Sequence, residues 1–472
     1  MASENRIIKT YMSFGVPVDP SNVKTLVDLD LSYALASTLA DWTDTRNLNE
    51  GLATPSEFTA NNEIAFKIRK QARWSDGTAI TALQVVRSFA HAKKMHGEDL
   101  KSLFEVIDRI EAKDDSEVVF HLNRSMASSN LFHKLTEPMY GVLYVRDDGS
   151  VDLSKTSGSY FLRSETTEEL TLAQNPYWYN HVEKMADSII IRQPKKHNVK
   201  EDDDDFSSDP WPNLVAMSSL MTKKITDLYQ SEHFSVWNRN LDRLFFLSPS
   251  QKLATSQGRQ FFQALNQKLD REKILAGLSG YHLSQQFFPP GYPIFDTEFK
   301  PITAKIEVPD AFKHRPLELL TAAGRVAGKL KHNLTEAIQA LTGLAPKFRV
   351  VPLNDFAKEI AEGHFDILVA TLPVNDPNIE GAVSFFFGFT PPLIPNSGSG
   401  NGDFKSRIAH ARTFEEEKRN TEYRSVFTKS TQDGCVLPLF HFSSVVVARD
   451  GIDLSKVPTS DESVSFSKVR FK

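Results

Sequence analysis

The chain has one cysteine, Cys435, among 472 residues. No internal disulfide can staple it, so its stability must come from buried cores. It has no apolar run approaching the roughly 20 residues that a membrane-spanning helix needs. Its formal net charge is −5; without a basic excess there is little to displace counterions from a polyanion, which argues against a nucleic-acid partner. The opening MASENRIIKT lacks the apolar core and cleavage pattern of a signal peptide.

Motifs that carry chemistry are scarce as well. There is no Walker sequence, no metalloprotease histidine pair, and no Cys/His cluster at zinc spacing. Gly398-Ser399-Gly400 is loop composition, not the turn of a nucleophile elbow. The 13 histidines are scattered. His91 and His96 stand five apart, on different faces of a helix, which suggests surface placement over a shared metal. Cys435 lies in the apolar run CVLPLFHFSSVVVA, where a cysteine is expected to be inert core. The acid run Glu201–Asp205 reads as a solvated loop, and no calcium-loop spacing accompanies it. The expectation is a non-enzyme with no cofactor and no metal.

Hydrophobic content of 40% and charged content of 24% describe an ordinary globular chain. Its length can bury at least two cores. The most informative stretch is IAFKIRKQARWSDGTAITALQVVRSFAHAKKM, from Ile64 to Met95. Ile64, Phe66 and Ile68 alternate with polar neighbours, which predicts a half-buried strand. Ser75-Asp76-Gly77 predicts a turn. Thr81 with Gln84 predicts a capping box opening a helix from about Ala82 to Lys94.

RKQARWSDGTAITALQVVRSF closely resembles the signature of family 5 of the bacterial extracellular solute-binding proteins, the peptide- and nickel-type receptors of ABC importers. Gln84 replaces the acid usual there. Three further stretches resemble the family. In the first, Gly158-Ser159-Tyr160 is followed by Asn175-Pro176-Tyr177-Trp178. The second is GRQFFQALNQKLDREKI from Gly258, and the third is Phe288-Pro289-Pro290-Gly291. The aromatics Tyr177, Trp178 and Tyr179 are read as packing and anchoring groups.

The resemblance implies an α/β, two-lobed periplasmic-binding-protein fold of type II, cluster C-like, with hinge strands. Lobe one would combine 1–238, including an extra hairpin subdomain over Glu105 to Leu122, with 439–472. Lobe two would fill 239–438. Leu29 to Leu39 is expected to be helical, Phe414 to Gln432 a charged helix, and Cys435 to Ala448 one returning strand. Two crossing strands, near Trp237 and near Phe440, would form the hinge.

The function implied is capture of a small-molecule or peptide ligand and its delivery to an ABC permease in the membrane, by a monomer. A ligand-presenting sensor is the rival reading. Two readings fit the N-terminus, a cytosolic start or a mature exported protein behind Met-Ala; the resemblance favours the second and a periplasmic or other extracytoplasmic location. Ligand contacts are expected at Ser13 and Phe14 in the first loop, where a plain turn fits equally. They are also expected at Trp237 and Asn238 on the first crossing strand, and at Pro373, Val374, Asn375 and Asp376. In the peptide-binding members an acid before the Asn-Asp-Pro tail pairs with the peptide's α-ammonium. Here Pro373 stands in that place and Ala370 replaces a pocket tryptophan, so ordinary peptides with free N-termini are expected to be poor ligands.

Overall fold

A computed structural model describes residues 5–12, 14, 17–21, 26–42, 48–55, 62–96, 103–123, 131–132, 134–193, 211–217, 234–238, 243–278, 280–322, 326, 328–374, 379, 382–383, 386–387, 394, 404–443, 445–457 and 464–472. The acid run at 201–205 lies outside them.

Alternation is realised where the sequence shows it. Glu63–Ile68 is a strand with Ile64, Phe66 and Ile68 buried. It lies in a four-stranded sheet ordered Ala53–Pro55, Glu63–Ile68, Glu117–Leu122, Ile107–Ala112. The last two form the expected hairpin. Its turn is closed by Lys113 N donating to Glu117 O at 2.9 Å and by a Lys113–Glu117 ion pair at 2.7 Å. The helix Ala82–His96 packs on this sheet. Val85, Phe89 and Ala92 bury its apolar stripe in one cluster with Phe66, Trp74 and Phe120.

The Trp74–Thr78 signature is a clasp. Trp74 is fully buried, and the Gln84 carboxamide oxygen accepts three donors: Trp74 Nε1 at 3.0 Å, Thr81 N at 3.0 Å and Thr81 Oγ1 at 3.2 Å. The expected cap is thus present with Gln84 as its acceptor. Gly77 has φ +84, the left-handed region that only glycine enters without strain. Asp76 bonds Thr78 N and Oγ1 and pairs with Lys155 at 2.8 Å. Burial opposes its ionisation, but those hydrogen bonds and the Lys155 charge hold its carboxyl below the usual range.

A second knot joins the Gly158 and Asn175 stretches. Ser37 N donates to Ser157 Oγ, Ser157 Oγ to Val142 O, and Asn175 Nδ2 to Gly158 O. A Cβ on Gly158 would stand 2.4 Å from the Ala34 carbonyl oxygen, so the turn needs glycine for close approach. This knot ends the first helix at Leu26–Leu35, four residues short of the expected Leu39, because Ser37 to Leu39 bond to other segments instead. Trp178 donates to Ser37 Oγ at 3.2 Å, while Tyr177 is 47% exposed with its ring against Gly77. The aromatic cluster is an anchor, as expected.

The chain from Arg243 to Phe442 builds a six-stranded sheet. Its order is Tyr281–Leu283, Leu437–Phe442, Arg243–Pro249, Ile367–Pro373, Glu318–Ala322, Lys347–Val351. Both faces are covered, which accounts for the nearly unbroken apolar runs of its central strands. Leu244 and Phe246 enter one cluster with Leu368, Ala370 and Leu372. Phe245 and Leu247 enter the other with Ile367 and Val369. Helices Ser256–Lys268, Gly328–Thr342 and Glu416–Gln432 contribute to these clusters. After Lys268 the chain breaks at Leu269, and Asp270 caps a new helix, Arg271–Ile274, by accepting from Lys273 N. Burial lowers the Arg271 pKa to about 10, and its guanidinium is held by Asn266 and the Pro438 carbonyl.

Among the described residues, no hydrophobic cluster mixes 243–442 with the rest of the chain. That is the physical content of two lobes. The expected single strand over Cys435 to Ala448 is in fact two, Leu437–Phe442 and Val445–Arg449, in different sheets. The expected boundary at 438/439 falls inside the first of them, and Phe440 sits within the six-stranded sheet, not at a crossing. Strand pairing with Arg243–Pro249 holds Leu437–Phe442 there through its whole length. Cys435 precedes this strand, 1% exposed, and burial pushes its thiol up to about 12.

Candidate functional site: the interlobe cleft

Two crossings join the lobes, and they lie side by side. Phe234–Asn238 pairs antiparallel with Val445–Arg449, ending at Asn238 opposite Val445. On the other side, Arg243 opens its strand opposite Phe442, where the returning strand ends. Both connections therefore leave one sheet and enter the other at adjacent points. Such a pair permits rotation about a line between them while each lobe stays rigid.

Register fixes what faces lobe one. Arg243 is the cross-strand partner of Pro373, the last residue of Ile367–Pro373. Glu318–Ala322 runs parallel to that strand, and Lys347–Val351 runs parallel to Glu318–Ala322. All three strands thus point their carboxyl ends toward the crossings. Loops beyond the carboxyl ends of parallel strands are where α/β sheets bind ligands.

The expected contact residues divide between the lobes. Phe14 is 7% exposed in the lobe-one core, and its carbonyl accepts Gln193 Nε2 at 2.7 Å. Its ring therefore packs inward. Trp237 is half-buried against the same cluster, with its indole Nε1 buried and unpartnered. Asn238 ends the crossing strand. In lobe two, Pro373 is paired to Arg243, while Val374 is 1% exposed and fills the core beneath. Ser13, Asn375 and Asp376 lie outside the described residues. Trp237 and Asn238 on one side and Pro373 on the other are brought to the two edges of the hinge.

Sequence reasoning missed Arg243, which is 3% exposed at the cleft end of its strand. Thr371 Oγ1 is one of its contacts, at 3.3 Å from Nη2. A charge opening a run such as RLFFLSP was a readable signal. His441 was also missed. It is fully buried, Nε2 lies 2.9 Å from the Phe287 carbonyl, and burial depresses its pKa to about 4, so it is neutral. His91, expected at the surface, is half-buried beside Asp19, with Nε2 3.8 Å from Oδ2. Burial opposes the charge on Asp19, but the nearby His91 and hydrogen bonds from Ser21 N and Oγ hold its carboxyl below the usual range. This pair pins the first loop to the Ala82–His96 helix. No group of three or more metal-ligating side chains occurs among the described residues, and no helix among them is long and apolar enough to cross a membrane.

Paired crossings, separate cores and strand ends turned toward the partner lobe define a two-lobed periplasmic-binding-protein fold. The chain belongs to the bacterial extracellular solute-binding proteins of family 5. That family's model, described as "Bacterial extracellular solute-binding proteins, family 5 Middle", matches residues 47–343. Solved structures of the same shape include a dipeptide binding protein from Pseudoalteromonas sp. SM9913 in complex with Met-Leu. It has a TM-score of 0.80 and 13% identity, with 99% of this chain and 100% of that chain covered. NikA from Brucella suis, in complex with Fe(III)-EDTA, has a TM-score of 0.77 at 12% identity, covering 99% and 100%. The binding protein AgaA from A. tumefacien R10, in complex with agropinic acid, has 0.75 at 15%, covering 99% of each. No curated protein matches the chain. The resemblance read from Trp74–Thr78 is borne out, and the chain is a solute-binding protein of this family.

Proposed function

We propose that this protein captures its ligand between lobe one, 1–238 with 443–472, and lobe two, 239–442, and hands it to an ABC permease in the membrane. The observation that carries this reading is the adjacency of the crossings, Asn238 opposite Val445 and Arg243 opposite Phe442. A ligand that touches both lobes favours the closed form by its differential affinity for that form, and closure is what a permease can read. The protein acts outside the cytoplasm as a monomer and releases its ligand unchanged.

The ligand is not an ordinary peptide with a free N-terminus. Pro373 stands where the peptide-binding members carry the acid that meets the α-ammonium, and its cross-strand neighbour is Arg243. An ammonium buried without its carboxylate costs about 3–5 kcal/mol, roughly two to four orders of magnitude in affinity. Similar folds hold a dipeptide, a metal chelate and agropinic acid in the structures named above, so the architecture accommodates such a change. Native mass spectrometry of the purified protein should reveal a co-purified non-peptide solute. Calorimetry against tri- and tetrapeptides decides the rest: submicromolar binding that disappears on N-acetylation would overturn the ligand reading, and chemical conversion of a bound solute would overturn the receptor reading.

A further inference from the structure

The Tyr281–Leu283 strand is an edge of the six-stranded sheet, and among the described residues it pairs only with Leu437–Phe442. Tyr281 lies opposite Phe442, at the seam between the lobes, and both Tyr281 and His282 are exposed. Backbone bonds extend the pairing by one residue at each end. Ser443 N donates to Gly280 O at 3.1 Å, and Ser284 N donates to Leu439 O at 3.3 Å. So short an edge strand is a low-stability element, and the side chains that pin it carry more of its hold.

His441 is such a pin. Its ring is fully buried, and Nε2 donates to the Phe287 carbonyl at 2.9 Å. That bond ties the returning strand to the residues that follow the edge strand, whose Phe287 and Phe288 fill the lobe-two core. Nδ1 is buried and has no hydrogen-bond partner. The neutral ring suits this site and the charged ring does not. With Nε2–H given to the carbonyl, Nδ1 is the atom that takes up a proton, and a new N–H there meets no acceptor.

The surroundings offer the charge no relief. On the flanking strands His441 is opposite Leu244 and His282. His282 is the one side chain among the described residues whose charge acts on the ring, and it opposes a second positive charge; no carboxylate does so. Arg243 is opposite Phe442, one residue further along, so alternation turns it to the other face of the sheet.

We propose that His441 is a proton-operated latch: protonation at Nδ1 frees the 281–288 segment from the returning strand, loosens the lobe-two side of the seam and weakens the hold on ligand in acid. The ligand clause rests on the solute-binding reading. The direction follows from linkage. Burial depresses the pKa of the latched ring to about 4, whereas a released, hydrated histidine titrates near its ordinary value of about 6.5. Between these values the released form binds more protons, so acid drives release.

The test compares the whole chain with His441→Gln, whose carboxamide nitrogen can donate to the Phe287 carbonyl and does not titrate. Hydrogen exchange is read over 281–288 at pH 7 and at pH 5, with both proteins at each pH so that intrinsic rates cancel. From pH 7 to pH 5, exchange in the wild type relative to His441→Gln should rise about 20-fold; an unchanged ratio overturns the latch. If His441→Gln does not fold, NMR of the wild-type ring gives the reading. At pH 5.5 the ring should be neutral with its proton on Nε2, and a charged ring there overturns the inference. The co-purified solute should be lost more readily at pH 5 than at pH 7 by the wild type, and less so by His441→Gln; equal losses overturn the ligand clause. A chain that holds no solute at either pH removes the receptor reading instead, while exchange and NMR still decide the latch.

Discussion

Arg243 and Phe442 are direct cross-strand partners, and each is the residue at which the chain enters or leaves the six-stranded sheet. Five positions before Arg243 and three after Phe442 stand Asn238 and Val445, paired on the lobe-one side. The hinge is therefore one narrow seam. Small-angle scattering should show a smaller radius of gyration when the co-purified solute is present than after its removal by unfolding and refolding. Identical profiles would mean that the lobes do not close.

The clasp around Gln84 gives a stability prediction. In Gln84→Ala, Trp74 Nε1 loses its acceptor inside the core and Thr81 loses its cap. A buried donor left unsatisfied costs about 1–3 kcal/mol, and a lost cap adds about 1 kcal/mol. Gln84→Glu keeps an acceptor oxygen in place and should stay within about 1 kcal/mol of the wild type. Urea unfolding measures both; equal loss in the two variants would show that the carboxamide oxygen is not the group that matters.

Asp76 gives a pH prediction. Its folded-state pKa is depressed despite burial, by Lys155 and Thr78. A depressed carboxyl contributes stability that is fully present above its unfolded value of about 3.9 and is lost as pH falls through the lower, folded value. The stability difference between wild type and Asp76→Asn should therefore be constant from pH 5 to 8 and shrink in more acid solution. Thermal melting across that range checks it, and a difference that grows toward low pH would contradict the assignment.

Cys435 should be silent in the native state. Burial raises its thiol pKa to about 12, so almost no thiolate exists at pH 8. A disulfide reagent should react at a rate set by opening of the lobe-two core, and stoichiometrically once the protein is unfolded. Immediate reaction of the native protein would place the thiol at the surface.

Much of lobe one was legible because its cues are local. Alternation in Ile64–Ile68, the Ser75-Asp76-Gly77 turn and the Thr81–Gln84 cap each act within a few residues, and each formed where expected. The helix that stopped at Leu35 did so for a non-local reason: Ser37 bonds Ser157, 120 residues away. The Cys435 to Ala448 run misled for a similar reason. Strands covered on both faces are apolar throughout, so nothing in LPLFHF and VVVAR marks the point where one sheet ends and another begins.

The sequence by itself determined the family, the α/β class and the local knots, because words such as Trp74–Thr78 and Asn175–Trp178 encode turns, caps and short-range hydrogen bonds. Tertiary structure alone decided the seam between the lobes, the inward turn of Phe14, and the placing of Arg243 opposite Pro373 and Phe442 at the cleft end. Those depend on register between strands more than 100 residues apart and on the direction in which a helix returns to its sheet. Neither leaves a periodic trace in the chain, since pairing partners are chosen by packing over the whole lobe.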